Sequence, residues 1–314
     1  MTDALPLPSP AAGDIVAGRA RGILRALRTR RAAAAGAAVL AIFIALAALA
    51  PSIAPYGTVQ QLGRAFAAPS AAHWLGLDDA GADVLSLLIE GSRVSLVIGF
   101  AAMAVSVLVG ASVGIVAGYF GGVVDGVLMR ITDYLLAIPY LPLMIIVATV
   151  WGPSLLHVIL VIGLLQWRSM ARIVRAQVKS VRERTYVRRV RSLGASHSWT
   201  IVRHVVPQIG PLLAAIAVLS VADAIFAETA LAFLGLSDPN GVSWGTIIHQ
   251  GFEHAAISSG AWWAIVPPGL CVALVLSACY LLAQAVEDAL QPRLRVAHLG
   301  ARRFTVRALA AEEK

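Results

Sequence analysis

Six long apolar runs constrain this chain more than anything else in it: about Ala32–Ala50, Val94–Ala117, Val127–Val150, Ser154–Met170, Pro207–Ala230 and Trp262–Ala285. An α-helix rises about 1.5 Å per residue, so roughly 20 apolar residues cross the ~30 Å hydrocarbon core of a bilayer. Within lipid the backbone must satisfy its own polar groups, and for segments of this kind only a helix does so. Composition agrees, with 59% of residues hydrophobic and 13% charged, against about 25% charged in a soluble domain. The expected fold is an all-α integral membrane protein with about six transmembrane helices.

The arginines orient those helices. Six, from Arg19 to Arg31, precede the first run; a dense series from Arg168 to Arg203 separates runs four and five; Arg293, Arg295, Arg302, Arg303 and Arg307 follow the sixth. Residues 229–261 contain no Lys or Arg. Positive charge is retained in the cytoplasm, so both termini and the 168–206 loop are expected there, with Pro51–Arg93 and Thr229–Ala261 facing outward. An odd number of spans would place a basic block outside. The organisation that follows is a basic cytoplasmic segment (1–31), a first span (32–50), an extracytoplasmic segment (51–93), a core of five spans with the loop (94–290), and a cytoplasmic tail (291–314). The first run has the Arg-rich start and small residues of a signal peptide, but its full length and the even count favour a retained helix. Residues 1–18, with Pro6, Pro8 and Pro10, are expected to be a disordered lead. A net charge of +8 is of the kind nucleic-acid binders carry; its confinement to loops between apolar runs points to topology instead.

Within the spans, Gly110, Gly114 and Gly118 form overlapping small-xxx-small units, the pattern that lets helices approach closely in lipid. Pro139 and Pro142 in the third run, and Pro267-Pro268 in the sixth, are expected to kink or break their helices. Asp133, Asp223 and Glu228 lie within or at the ends of spans, where a carboxylate costs about 2.5–3.5 kcal/mol and normally faces protein or water. Asp133 is expected to pair with Arg130 near the interface, Glu228 to sit at the cheaply solvated outer end of run five, and Asp223 either to line a cavity or to bond another helix. Cys271 and Cys279 read as small buried hydrophobes with no disulfide framework. The chain has no phosphate-cradling G-x-x-x-x-G-K-[ST] loop and no H-E-x-x-H. His249 and His254 are spaced poorly for a shared metal, and no nucleophile–base pair stands out. Neither catalytic nor metal-binding residues are expected, so energy for any uphill work must come from a partner.

The loop between runs four and five is too long for a turn. Arg172, Arg175 and Lys179 fall on one face of a helix continuing run four. Tyr186–Leu193 predicts a short helix closed by Gly194 as C-cap, and His197–His204 a third leading through Pro207 into run five. Alone, this basic elbow reads either as a partner-docking device or as a solvated loop held to anionic lipid.

The segment Tyr186–Pro207 resembles the cytoplasmic "EAA" loop of binding-protein-dependent ABC importer permeases, through Leu193-Gly194-Ala195-Ser196 and Arg203-His204-Val205-Val206-Pro207. Further similarities run in order along about Ala32–Arg295: His73–Asp78, Asp83–Ser86, Gly91–Arg93, Gly118–Gly122, Met129-Arg130, Asp133, Ala227-Glu228, Phe233–Leu236, Ser243–Gly245 and Asp288–Arg293. The chain is most similar to the second, C-type permease subunit of dipeptide, oligopeptide and nickel importers. One departure is that Arg188-Arg189-Val190 replaces the Glu-Ala-Ala triplet. The resemblance implies a type I importer permease fold in a bacterial plasma membrane and a homologous second permease. It also implies cytoplasmic ATPases that carry ATP and Mg, an extracytoplasmic binding protein, and no cofactor on this chain. It implies a coupling role for Tyr186, Arg188, Arg189, Leu193, Gly194, Ala195, Ser196, His204 and Pro207. Candidates for the path or gate are Asp133, Pro139, Asp223, Glu228, Ser243 and Trp244. Cargo of the nickel, glutathione or haem type is the alternative, as are an importer for amino acids or sugars, against which the long segment 51–93 argues, a membrane enzyme, and a membrane scaffold without transport.

Overall fold

The computed structural model describes residues 31–290; the expected proline-rich lead, the arginines before Arg31 and the basic tail lie outside the described residues. The elements are α1 (Arg31–Ile53), α2 (Val84–Phe120), α3 (Gly122–Ala137), α4 (Tyr140–Trp151), α5 (Leu155–Arg182), α6 (Thr185–Ser192), α7 (His197–Thr200), a π-helical turn (Ile201–Val205), α8 (Val206–Phe233), α9 (Trp244–Glu253), a 3-10 turn (Trp262–Ala264) and α10 (Val266–Leu290). Among the described residues there is no strand, only an isolated bridge between Leu77 and Asp83. Five continuous helical segments are long and apolar enough to span a membrane, and α3 with α4 makes a sixth if that bent pair is one span.

Helix α2 organises the bundle. At 37 residues it is about 55 Å long, well beyond a bilayer core. It begins ten residues before the expected start, because Asp83 caps it: the Asp83 carboxylate accepts from the Ser86 N–H at 2.9 Å and the Ser86 hydroxyl at 2.8 Å, and contacts His73 Nδ1 at 3.0 Å. Its glycines explain its partner. A Cβ on Gly110, Gly114 or Gly118 would stand 2.7–2.8 Å from the carbonyl oxygens of Trp167, Ala171 and Arg175, one per turn of α5. The two helices thus run parallel in backbone contact. Gly163 of α5 returns the arrangement, its Cβ position 2.7 Å from that of Val105. Association in lipid relies on such close packing because lipid tails already solvate apolar side chains.

The prolines divide: Pro139 breaks the third run as expected, whereas Pro142 and Pro267-Pro268 do not break their helices. At the break α3 and α4 meet at 89°. Pro139 pushes Ile138 into extended backbone (φ −83°, ψ 126°) and supplies no N–H to bridge the gap, so the helix stops and restarts. Pro142 falls in the first turn of α4 and breaks nothing. Pro267 and Pro268 likewise sit in the first turn of α10, where the missing donors have no intrahelical partners anyway, and α10 runs on to Leu290.

The buried core has three parts. One joins α2, α8, α9 and α10 around Trp244, Ile225 and Val275; a second joins α2, α4, α5 and α8 around Met144 and Ile162; a third, at the basic end, joins α2, α5, the α6–α7 elbow and α8 around Tyr119, Val187 and Val205.

Candidate functional sites: a basic elbow and a cavity at the broken span

The elbow is built outward from that third core. Helix α5 carries the chain past the last apolar turn to Arg182, and Arg175 and Lys179 on its flank grip Asp125 at the start of α3. The Arg175 Nη2 and Lys179 Nζ stand 2.7 and 3.0 Å from Asp125 Oδ2, and Arg175 Nε makes a further short contact. Arg172 lies on the same face and meets Asp133 at 2.6 Å. This corrects the expected Arg130 partner: Arg172 lies across the helix pair, on the neighbouring helix.

Beyond α5 the chain reverses into α6. Val187 is buried under it while Arg188, Arg189 and Arg191 stay exposed. Arg188 pairs with Glu183, and that contact holds the exposed Glu183 carboxyl below its usual range. Arg191 lies over the Tyr119 ring, 5.8 Å from its centroid, a cation–π contact. Gly194 has φ +88°, the left-handed conformation that ends a helix and favours glycine. It places Leu193 at the tip, 87% exposed. The Ser196 hydroxyl then caps α7, accepting from Trp199 N–H at 3.3 Å. The expected third helix does not stop before run five: the π-helical turn Ile201–Val205 carries it directly into α8, with Pro207 at that helix's second position. The His204 ring stacks edge-on with Trp199 and Tyr186, at centroid distances of 5.0 and 6.1 Å. Thus Tyr186, Leu193, Gly194, Ala195, Ser196, His204 and the arginines form one elbow on the basic end, continuous with α5 and α8.

The second site is a cavity of about 550 Å³ between the α3–α4 corner, α5 and α8. Pro139, Tyr140, Gln166, Arg168, Ser220 and Asp223 are among its lining residues. Arg168, only 3% exposed, was expected to open the basic loop. It instead closes the break: its guanidinium donates to Leu165 O at 2.6 Å and, more closely, to Leu135 O. A cation at the end of α3 answers both the orphan carbonyl and the negative end of the helix dipole. The guanidinium also lies 5.9 Å from the Tyr140 ring centroid. Of the expected path residues, Pro139 and Asp223 line this cavity and the others do not. Asp133 is held by Arg172. Ser243 and Trp244 are in the core: Ser243 caps α9, and the Trp244 indole donates to Leu88 O at 3.1 Å. Glu228 is not at a solvated end but fully buried, beside Ser243 and Thr229, and its carboxylate oxygens make no hydrogen bond of normal geometry. The cavity roles of Tyr140 and Gln166 were missed in the sequence, where only Pro139 marked the corner.

The segment between α1 and α2 and the connection around α9 form the opposite end. Asp78 is buried there, its carboxylate accepting from Ala82 N–H at 2.7 Å. Burial outweighs that bond and pushes its carboxyl above 3.8. No group of three or more metal-ligating side chains occurs among the described residues.

A bundle of spans, one broken beside a cavity, with a basic elbow on one end, is the fold of a multi-span membrane protein. The comparisons place it more closely. Residues 110–296 match the family described as "Binding-protein-dependent transport system inner membrane component", and residues 19–69 match "N-terminal TM domain of oligopeptide transport permease C". The chain belongs to the binding-protein-dependent inner-membrane permease family and is a multi-pass inner-membrane protein. It is 35% identical over 273 residues to the "Dipeptide transport system permease protein DppC" of Bacillus subtilis, covering 86% of this chain and 85% of that one. It is 35% identical over 284 residues to the "Oligopeptide transport system permease protein OppC" of Mycobacterium bovis, covering 89% and 96%. The "Glutathione transport system permease protein GsiD" of Pectobacterium atrosepticum is 32% identical over 275 residues, covering 86% and 90%.

Proposed function

We propose that this chain is one of two permease subunits of an ATP-driven importer of dipeptides or oligopeptides. The observation that carries the reading is the elbow: a basic, glycine-turned surface with an exposed Leu193 tip, fixed to two spanning helices so that force on it reaches the bundle. Relatives named for dipeptide and oligopeptide transport support the cargo. The relative named for glutathione supports a second cargo reading within the same mechanism.

In this reading the basic end is cytoplasmic, following the arginine distribution. A homologous permease completes the path, and ATPases beneath the two subunits bind ATP with Mg. ATP binding draws the ATPases and both elbows together, which opens the spans outward to cargo delivered by an extracytoplasmic binding protein. Hydrolysis returns them inward. This is a two-state switch, biased by nucleotide on one side and by the loaded binding protein on the other.

The test is a mild-detergent pull-down of tagged chain with mass spectrometry. Co-recovery of a second permease, ATPases and a binding protein supports the reading, and ligand on that binding protein names the cargo. Recovery of the chain alone, in several detergents and with nucleotide present, overturns it. Gly194→Pro or Gly194→Glu gives the functional arm. Proline cannot adopt the φ of +88° found here, so the elbow distorts while the spans stay packed. The variants are expected at normal membrane level with uptake lost; normal uptake would remove the coupling role.

A further inference from the structure

The cavity at the broken span is lined by one carboxylate, Asp223, for which no ion pair is found among the described residues. Of the carboxylates on its helical walls, Asp125 is gripped by Arg175 and Lys179, Asp133 is paired with Arg172, and Glu228 is sealed in the core. Asp223 is different. It is exposed on the α8 face that lines the cavity, and none of those arginines reaches it. Among the described residues the cation in the cavity wall is Arg168, whose Nε and Nη1 donate to the Leu165 and Leu135 carbonyls. Beside it the Tyr140 hydroxyl and both polar atoms of the Gln166 amide are buried and make no hydrogen bond of normal geometry, although the two side chains are near neighbours. A phenol and a primary amide each donate and accept, and buried groups of that kind call for a partner. The remaining wall is apolar, including Ile216, Leu219 and Phe226.

A molecule that satisfies this set carries one positive charge, neutral donors and acceptors, and side chains that tolerate apolar surface. A carboxylate placed against Asp223 fits poorly, because like charges repel. We propose that Asp223 receives the free α-ammonium group of a peptide passing through this cavity, with Tyr140 and Gln166 bonding its amide backbone. The proposal rests on the peptide-importer reading above and gives the path a preference for cargo with an unblocked amino terminus.

The test uses the assembled importer in proteoliposomes, with two lysine-free cargo peptides of one sequence. One has its α-amino group; in the other hydrogen replaces it. Each is loaded to saturation on the binding protein, with its affinity there measured separately, so that transport per ATP hydrolysed reports passage alone. The wild type is expected to move the amino peptide about tenfold better, as loss of a charge-assisted hydrogen bond implies. Asp223→Asn is expected to bring the two within about twofold, and Asp223→Glu to retain the preference. An unchanged ratio in Asp223→Asn overturns the site while leaving the importer intact. A wild-type complex that moves neither peptide defeats the importer reading itself. Loss of the assembled complex in both variants, followed by co-purification, assigns Asp223 to helix packing and overturns the site as well.

Discussion

Gly114→Ala measures how closely α2 and α5 approach. The added Cβ would stand 2.7 Å from the Ala171 carbonyl oxygen and 2.7 Å from the Val174 Cβ, whereas carbon contacts are comfortable at about 3.5–4.0 Å. The helices must therefore part by roughly an ångström, and Gly110 and Gly118, one turn away on the same line, would lose contact with them. Overpacking of this kind costs about 1–3 kcal/mol. Alanine also gains about 1 kcal/mol of helix propensity over glycine, so the raw change understates the clash. Gly126 provides the control, being helical and exposed with nothing within 4 Å of its Cβ position. The difference between Gly114→Ala and Gly126→Ala cancels the propensity gain. Equilibrium unfolding in mixed detergent–SDS micelles, followed by circular dichroism, is expected to place Gly114→Ala about 1–3 kcal/mol below Gly126→Ala. Equal stability of the two would refute the close approach, and with it the parallel backbone contact that positions α5 and the elbow beyond it.

Other perturbations test the remaining features. Arg168→Met leaves the Leu135 carbonyl, whose i+4 residue is Pro139, without a donor, at about 1–3 kcal/mol; the same unfolding assay is expected to show a loss of that size, and an unchanged midpoint would mean the break needs no cap. Asp78 has its carboxyl raised above 3.8 by burial, so the folded state binds this proton more tightly than the unfolded state. Its contribution is most favourable at low pH and falls as pH rises above about 4. Asp78→Asn keeps an acceptor for the Ala82 N–H and removes the charge. The wild-type-minus-variant difference in melting temperature is expected to grow more negative as pH rises through that window, and a flat difference would contradict the buried charge.

The membrane class, the number of spans and the presence of an elbow were legible in the sequence because each rests on a local quantity: run length, arginine position, a glycine after a short amphipathic segment. The glycine line of α2 was legible as a packing face, but its partner was not, since spacing says that a helix is flat without saying what lies on it. Pro139 announced a break. Its right-angle geometry, and the arginine from another helix that makes it tolerable, required the fold.

The polar groups show the same division more sharply. The sequence marked Asp133, Asp223 and Glu228 as costly in lipid, and that much follows from side-chain chemistry alone. Tertiary structure decided their fates: a cation across the helix pair for Asp133, burial in the core for Glu228, and an open cavity for Asp223. The reason is that desolvation and pairing depend on what other helices bring within a few ångströms, and helices distant in sequence meet only when the bundle closes. The sequence by itself determined that the chain lies in a membrane and carries a basic elbow; which of its charges are paired, which is buried and which faces a cavity was settled by the packing of α3, α5 and α8.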